Sequence, residues 1–177
     1  NLGYAFVNWT DGATEVSTAA SYSFTASANR TLVANFILTY AISLSASPTT
    51  GGSVTGGGTY NSGSNVTVVA TANLGYTFVN WTDGATEVST SASYGFTVTA
   101  NRTLVANFTP FLTIMLSSTN TAIVSWPTGS GFVLQENSAV GNGAGWIDNT
   151  DTVEASGGVN RVILSPSGTR FFRLFRQ

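Results

Sequence analysis

The sequence predicts an all-β chain of tandem small antiparallel β-modules followed by a C-terminal β-sandwich. Three observations carry that expectation. Residues 1–36 recur as residues 73–108, an offset of 72, with only five differences: Ala5/Thr77, Ala19/Ser91, Ser23/Gly95, Ala26/Val98 and Ser27/Thr99. Apolar residues alternate with period two through most of the chain, the spacing of strands with one buried face. Clusters of Gly, Asn and Asp punctuate those runs, and no stretch shows helical spacing with caps.

Three parts follow in order. Residues 1–36 are the C-terminal half of a β-repeat, and residues 37–109 are a complete one. In the complete repeat, Tyr40-Ala41-Ile42-Ser43-Leu44-Ser45-Ala46 alternates as a strand, and Pro48-Thr49-Thr50-Gly51-Gly52 reads as a turn. Ser53-Val54-Thr55 is a short strand before three glycines, and Asn61-Ser62-Gly63 is a further turn. Val66, Val68 and Ala70 share one face of the next strand. Tyr76-Thr77-Phe78-Val79-Asn80-Trp81 is closed by Asp83-Gly84, a strong hairpin signal between alternating runs. Tyr94-Gly95-Phe96-Thr97-Val98 and Leu104-Val105-Ala106-Asn107-Phe108 complete the unit. No front half precedes the first copy within these residues. The first module is therefore expected to expose unpaired edges and aromatic surface, as a piece of a longer array or as a unit completed by another chain.

The repeat stops at Thr109-Pro110. Proline lacks an amide donor and biases its neighbour towards extended geometry, which suits a joint. Residues 110–177 then show new alternations: Leu112/Ile114/Leu116, Ala122/Val124/Trp126 and Phe132/Leu134. A short Trp146-Ile147-Asp148 segment, Val159-Asn160-Arg161-Val162-Ile163-Leu164 and residues 170–176 follow. Several short strands at this spacing predict a small sandwich.

Composition narrows function by what is missing. The chain has no His, no Cys and no Lys, and its six basic residues are all Arg. The commonest general base, the thiol nucleophile, the thiolate metal site and the Schiff-base amine are therefore absent. Charged residues make up 8 %, against roughly 25 % in an ordinary soluble domain, and Ser, Thr, Gly and Asn take their place. The net charge of −2 speaks against nucleic-acid binding, which needs a basic footprint. No apolar run reaches the roughly 18 residues of a membrane span, and no signal peptide stands at residue 1.

Gly51-Gly52-Ser53-Val54, Gly75-Tyr76-Thr77-Phe78-Val79-Asn80-Trp81 and Ala106-Asn107-Phe108 together resemble the divergent internalin-B-type repeat of bacterial surface proteins. The C-terminal part, through Ser125-Trp126-Pro127 to the final Phe-rich run, resembles a fibronectin-III-like terminal module of large secreted bacterial proteins. The resemblances imply export, an extracellular or cell-surface place, no catalysis and no cofactor.

Candidate contact residues are few. Trp9 and Trp81 hold the same repeat position, as core anchors or as platforms for stacking a sugar. Asp11 with Glu15, and Asp83 with Glu87, could pair as carboxylates for glycoside hydrolysis, but Asp83 better serves the hairpin turn and Glu87 a solvated strand face. Asp148-Asn149-Thr150-Asp151 with Glu154 offers oxygens for calcium at a spacing that favours a polar turn. Arg170, Arg173 and Arg176 are the basic cluster, read as a partner-binding patch or as ion pairs to Glu136, Asp148 or Glu154. Six Asn-x-Ser/Thr sequons, at Asn8, Asn29, Asn65, Asn80, Asn101 and Asn107, follow from a composition rich in Asn and Thr. The expected function is a structural or adhesive surface stalk or filament, with identical subunits completing each other's half-repeats. The alternative is a carbohydrate-binding accessory region of a larger secreted enzyme, with a surface polysaccharide as partner.

Overall fold

The computed structural model describes residues 3–118, 120–139, 145–165 and 168–176, and these form seventeen strands and no helix. The first copy contributes β1 (Tyr4–Asp11), β2 (Thr14–Ser17) and the start of β3 (Leu32–Ser47). The complete repeat continues along β3 and adds β4 (Gly52–Thr55), β5 (Gly58–Asn61), β6 (Asn65–Ala72) and β7 (Tyr76–Asp83). β8 (Thr86–Ser89), β9 (Ser93–Thr97) and β10 (Arg102–Pro110) close it. The passage from one repeat to the next, between residues 36 and 37, lies inside the 16-residue strand β3.

The complete repeat has two layers. One sheet runs β3-β10-β7-β8, with β5 also paired to β3, and the other runs β4-β6-β9. Between them lies a core to which both sheets contribute: Ile42, Val66, Val68, Ala70, Tyr76, Trp81, Val98, Leu104, Ala106 and Phe108. On β6 the pattern is strict, with Val66, Val68 and Ala70 buried and Thr67, Val69 and Thr71 exposed. Enclosing a large apolar side chain of this kind stabilises the fold by roughly 1.5–3 kcal/mol. The hairpin signal is realised between β7 and β8. Gly84 opens the two-residue loop with φ +58°, the positive value a type II′ turn requires at that place.

The glycine pair has a packing reason. A Cβ on Gly52 would stand 2.4 Å from Phe108 Cζ and 2.4 Å from the Thr71 carbonyl oxygen, and one on Gly51 would stand 2.7 Å from Phe108 Cβ. Phe108 lies directly on the Gly51–Gly52 backbone. The glycine pair at the front of the repeat and the Ala-Asn-Phe at its end are two sides of one contact.

One pairing departs from the antiparallel expectation. Residues 42–47 of β3 run parallel to residues 102–107 of β10, the single parallel pair among the described residues. Alternation of apolar residues reports which face a residue takes and is silent on strand direction. The long connection between β3 and β10 satisfies the crossover that a parallel pair needs.

The C-terminal residues form β11 (Thr113–Leu116), β12 (Ala122–Pro127), β13 (Phe132–Asn137), β14 (Ile147–Asp148), β15 (Glu154–Ser156), β16 (Val159–Leu164) and β17 (Phe171–Arg176). The sheets are β11-β12-β16-β15 and β14-β13-β17. They share a second core of Val124, Trp126, Leu134, Val162 and Leu164, with Phe172 and Leu174 against it. At the joint the Phe111 amide donates to the Gly75 carbonyl at 2.9 Å. Gly75 also abuts the sandwich, since a Cβ there would stand 2.6 Å from Pro127 Cγ.

Candidate functional site

The two copies have nearly the same sequence and the same strand register. β1 pairs with β3 from Tyr4↔Leu38 to Asp11↔Leu32, and β7 pairs with β10 from Tyr76↔Pro110 to Asp83↔Leu104. Each pairing is offset from the other by 72 residues, bulge included. Aromatic packing repeats as well. Phe6 stands 6.0 Å from Trp9 and 5.7 Å from Phe36, and Phe78 stands 6.1 Å from Trp81 and 5.8 Å from Phe108.

What differs is the cover. Trp81 is wholly buried, whereas Trp9 is only half-buried. Phe108 is 6 % exposed and Phe36 56 %; Tyr76 is 6 % exposed and Tyr4 53 %. Residues 93–97 are strand β9, hydrogen-bonded to β6, whereas residues 21–25 form no strand. The cause is tertiary. β9 exists because β6 pairs with it, and the first copy has no described counterpart of β6. Among the described residues the edge of β3 opposite β1 likewise carries no strand over residues 32–35, the counterparts of residues 104–107 of β10, which pair with the parallel stretch of β3 in the second copy. The result is an apolar face made of Tyr4, Phe6, Trp9, Leu32, Ala34 and Phe36, bounded by an open strand edge.

The face is held in shape by local contacts. The Arg30 guanidinium donates from Nε to Asp11 Oδ2 at 2.8 Å and from Nη1 to the Tyr22 hydroxyl at 3.2 Å. It also lies 4.9 Å from the Phe24 ring centroid, a cation–π contact. Arg102 does the same with Asp83, Tyr94 and Phe96. The Arg30 hydrogen bond, helped by the Thr31 amide, holds the Asp11 carboxyl below the ordinary carboxylate range. So the clamp forms without the second sheet.

The other candidate residues are placed as follows. Trp81 donates its indole N–H to the Ala92 carbonyl at 3.2 Å inside the core and has no face left for a ligand. Trp9 makes the matching bond to Ala20. Glu15 and Glu87 accept from the amides of Asn8 and Asn80, while Asp11 and Asp83 pair with Arg30 and Arg102, so each carboxylate has its own protein partner. Asp148 accepts from Gln135 at 2.8 Å, and Asp151 from Asn149 and Arg170 at 3.0 and 3.2 Å. Arg170 pairs with Glu136 and Asp151. Arg173 donates twice to Gln135 Oε1, at 2.9 and 2.8 Å, and lies 4.5 Å from the Trp146 ring centroid and 5.4 Å from that of Phe175. Arg176 is exposed at the end of β17, opposite Phe132 in the register.

Sequence reasoning singled out isolated tryptophans and arginines. It also expected the first module to expose aromatic surface, and laying the copies over one another shows which six residues of the half-repeat make that face. The signal for it was the absent front half.

A family model described as the divergent InlB B-repeat domain matches residues 1–39 and 42–111. The match spans both copies and stops at the start of the C-terminal sandwich. No curated protein and no solved structure was found to match the chain.

Proposed function

The chain belongs to the divergent InlB B-repeat domain family, and from that premise we propose that it is a structural segment of a bacterial surface stalk, extracellular and without catalysis. The observation that carries this reading is the shared strand β3, which ends one repeat and begins the next without a linker. A spacer needs such a joint, because a strand continuous through two units leaves little freedom between them. The C-terminal sandwich, which we read as the fibronectin-III-like module, then follows the last repeat through the contact of Gly75 with Pro127. In this reading no cofactor, nucleic acid or membrane is a partner.

The test is protease shaving of intact cells that make the protein, followed by mass spectrometry of the released peptides. Peptides from residues 1–109 in the shaved fraction support a surface stalk. Their retention inside intact cells overturns it.

Two finer versions compete within this reading. Self-association of identical chains is favoured by the open face around Phe36. A carbohydrate-binding accessory role is favoured by the exposure of Tyr4 and Phe36, since exposed rings can stack on sugars. Against the latter, the same rings in the second copy are core residues, so their exposure follows from a missing cover.

A further inference from the structure

We propose that the outer face of the β14-β13-β17 sheet binds a carboxylate-bearing polysaccharide, with Arg173 holding a uronate group beside the rings of Trp146 and Phe175. This gives the carbohydrate-binding version of the surface reading a site of its own, and rests on that reading only for where such a polymer is met. Neither copy of the repeat contributes to it. The strand register builds the site. Leu134, Phe172 and Leu174 pack into the sandwich core, so by alternation Gln135, Arg173 and Phe175 stand on the opposite face. Asp148, Gln135 and Arg173 are directly opposed on β14, β13 and β17, one row across three strands.

Along that row the hydrogen bonds run in one sense. Gln135 Nε2 donates to Asp148 Oδ1 at 2.8 Å, and Gln135 Oε1 accepts from Arg173 Nε and Nη2 at 2.9 and 2.8 Å. A carboxylate only accepts and a guanidinium only donates, so the buried amide between them has a single orientation. The guanidinium plane is thereby set before any ligand arrives, which lowers the ordering cost of binding. What distinguishes Arg173 is the charge of its partner. Arg30, Arg102 and Arg170 each pair with a carboxylate. Arg173 is fixed by a neutral amide and forms no ion pair among the described residues, so its charge is left uncompensated. Its Nη1 group has no hydrogen-bond partner among the described residues and can donate to a carboxylate, the anion that a guanidinium fork matches. The rings of Trp146 and Phe175 flank the same cation. A pyranose whose carboxylate reaches Nη1 therefore brings its apolar C–H face to an aromatic ring.

The test is calorimetric titration of the full 177-residue chain with polygalacturonate. Binding is expected, and it should weaken as salt is added. The methyl-esterified polymer, which keeps the sugar rings and loses the charge, should bind about tenfold more weakly or worse, and Arg173→Gln should cost as much. The sharpest variant joins Gln135→Glu to Asp148→Asn. It carries the carboxylate from β14 to the side of Arg173 and keeps both the net charge and the row of hydrogen bonds. This variant should unfold at the temperature of the parent chain and lose binding by about tenfold or more, because Arg173 is then paired within the chain. Arg176→Gln, a cation outside the row, should stay within about twofold of the parent. A parent chain that does not bind, or that binds the esterified polymer equally well, overturns the proposal. So does binding that survives Arg173→Gln or the paired exchange, or that falls as far with Arg176→Gln. Tighter binding of polyglutamate than of polygalacturonate would make the partner an acidic peptide and overturn the sugar assignment. Titration uses the purified chain and cell shaving uses intact cells, so the site and the surface reading can fail separately.

Discussion

Two segments that differ at five positions in 36 reach different states in one molecule. Residues 73–108 bury their aromatic face and form β9; residues 1–36 keep the register, the ring spacings and the arginine clamp, yet expose the face and leave residues 21–25 without a strand. The contrast separates what a half-repeat makes alone from what it needs a partner to make. The β1–β2 hairpin, the pairing with β3 and the Arg30 clamp are local. The β9-type strand is not, because its hydrogen bonds go to another sheet.

The largest break in that contrast comes at the shared tryptophan. Trp81→Ala is expected to cost about 3–5 kcal/mol in urea unfolding of the full chain, the range for removing a buried large aromatic. Trp9→Ala should cost less than half as much, since Trp9 already sees solvent. Equal losses would show that the first copy is covered in solution. Gly52→Val comes next. Its branched side chain has no room beside Phe108 and the Thr71 carbonyl, and overpacking of this kind costs about 1–3 kcal/mol. Val98→Ala installs the residue of the first copy in the second, where Val98 is fully buried, and should cost about 2 kcal/mol. The reverse change, Ala26→Val, should fall within about 0.5 kcal/mol of neutral because Ala26 is exposed.

The smallest effect is electrostatic. Asp11 has its carboxyl held low in the folded chain, so its contribution to stability is fully present above the ordinary carboxylate value. That contribution is lost as pH falls through the depressed folded value. Acid titration followed by NMR of the Tyr22 and Phe24 rings should show their contact with Arg30 loosening in that window. Asp11→Asn should remove that pH dependence, and a transition that survives the change would assign it to another group.

Much of this architecture could be read from residues alone. The alternation of Val66, Val68 and Ala70 and the two C-terminal runs around Val124 and Val162 became strands, and the Asp83-Gly84 signal became the β7–β8 hairpin turn. Three features could not. β5 and β15 are short, polar and glycine-flanked, and carry too few apolar residues to show a period. The parallel course of β3 and β10 is invisible to any pattern of faces. Residues 21–25 closely match the sequence of a strand and are not one, because strandhood there is conferred by β6. The face itself was legible only as a deficit, a back half without its front. Trp81 illustrates the same limit. Its position marks a large aromatic on one face of a strand, and only the second layer decides that nothing outside can reach it.

The parallel pairing of β3 with β10 has a mechanical consequence. The chain enters the complete repeat at the start of one of these strands and leaves at the end of the other. Because they run the same way, tension along the chain pulls their outer ends in opposite directions. The load falls in shear on the whole ladder between residues 42–47 and 102–107, so its bonds must give way together. An antiparallel pair pulled from neighbouring ends would peel apart one bond at a time. A tether assembled from such units would resist a sudden tug far better than its equilibrium stability alone would foretell, since forced rupture is governed by the unfolding rate.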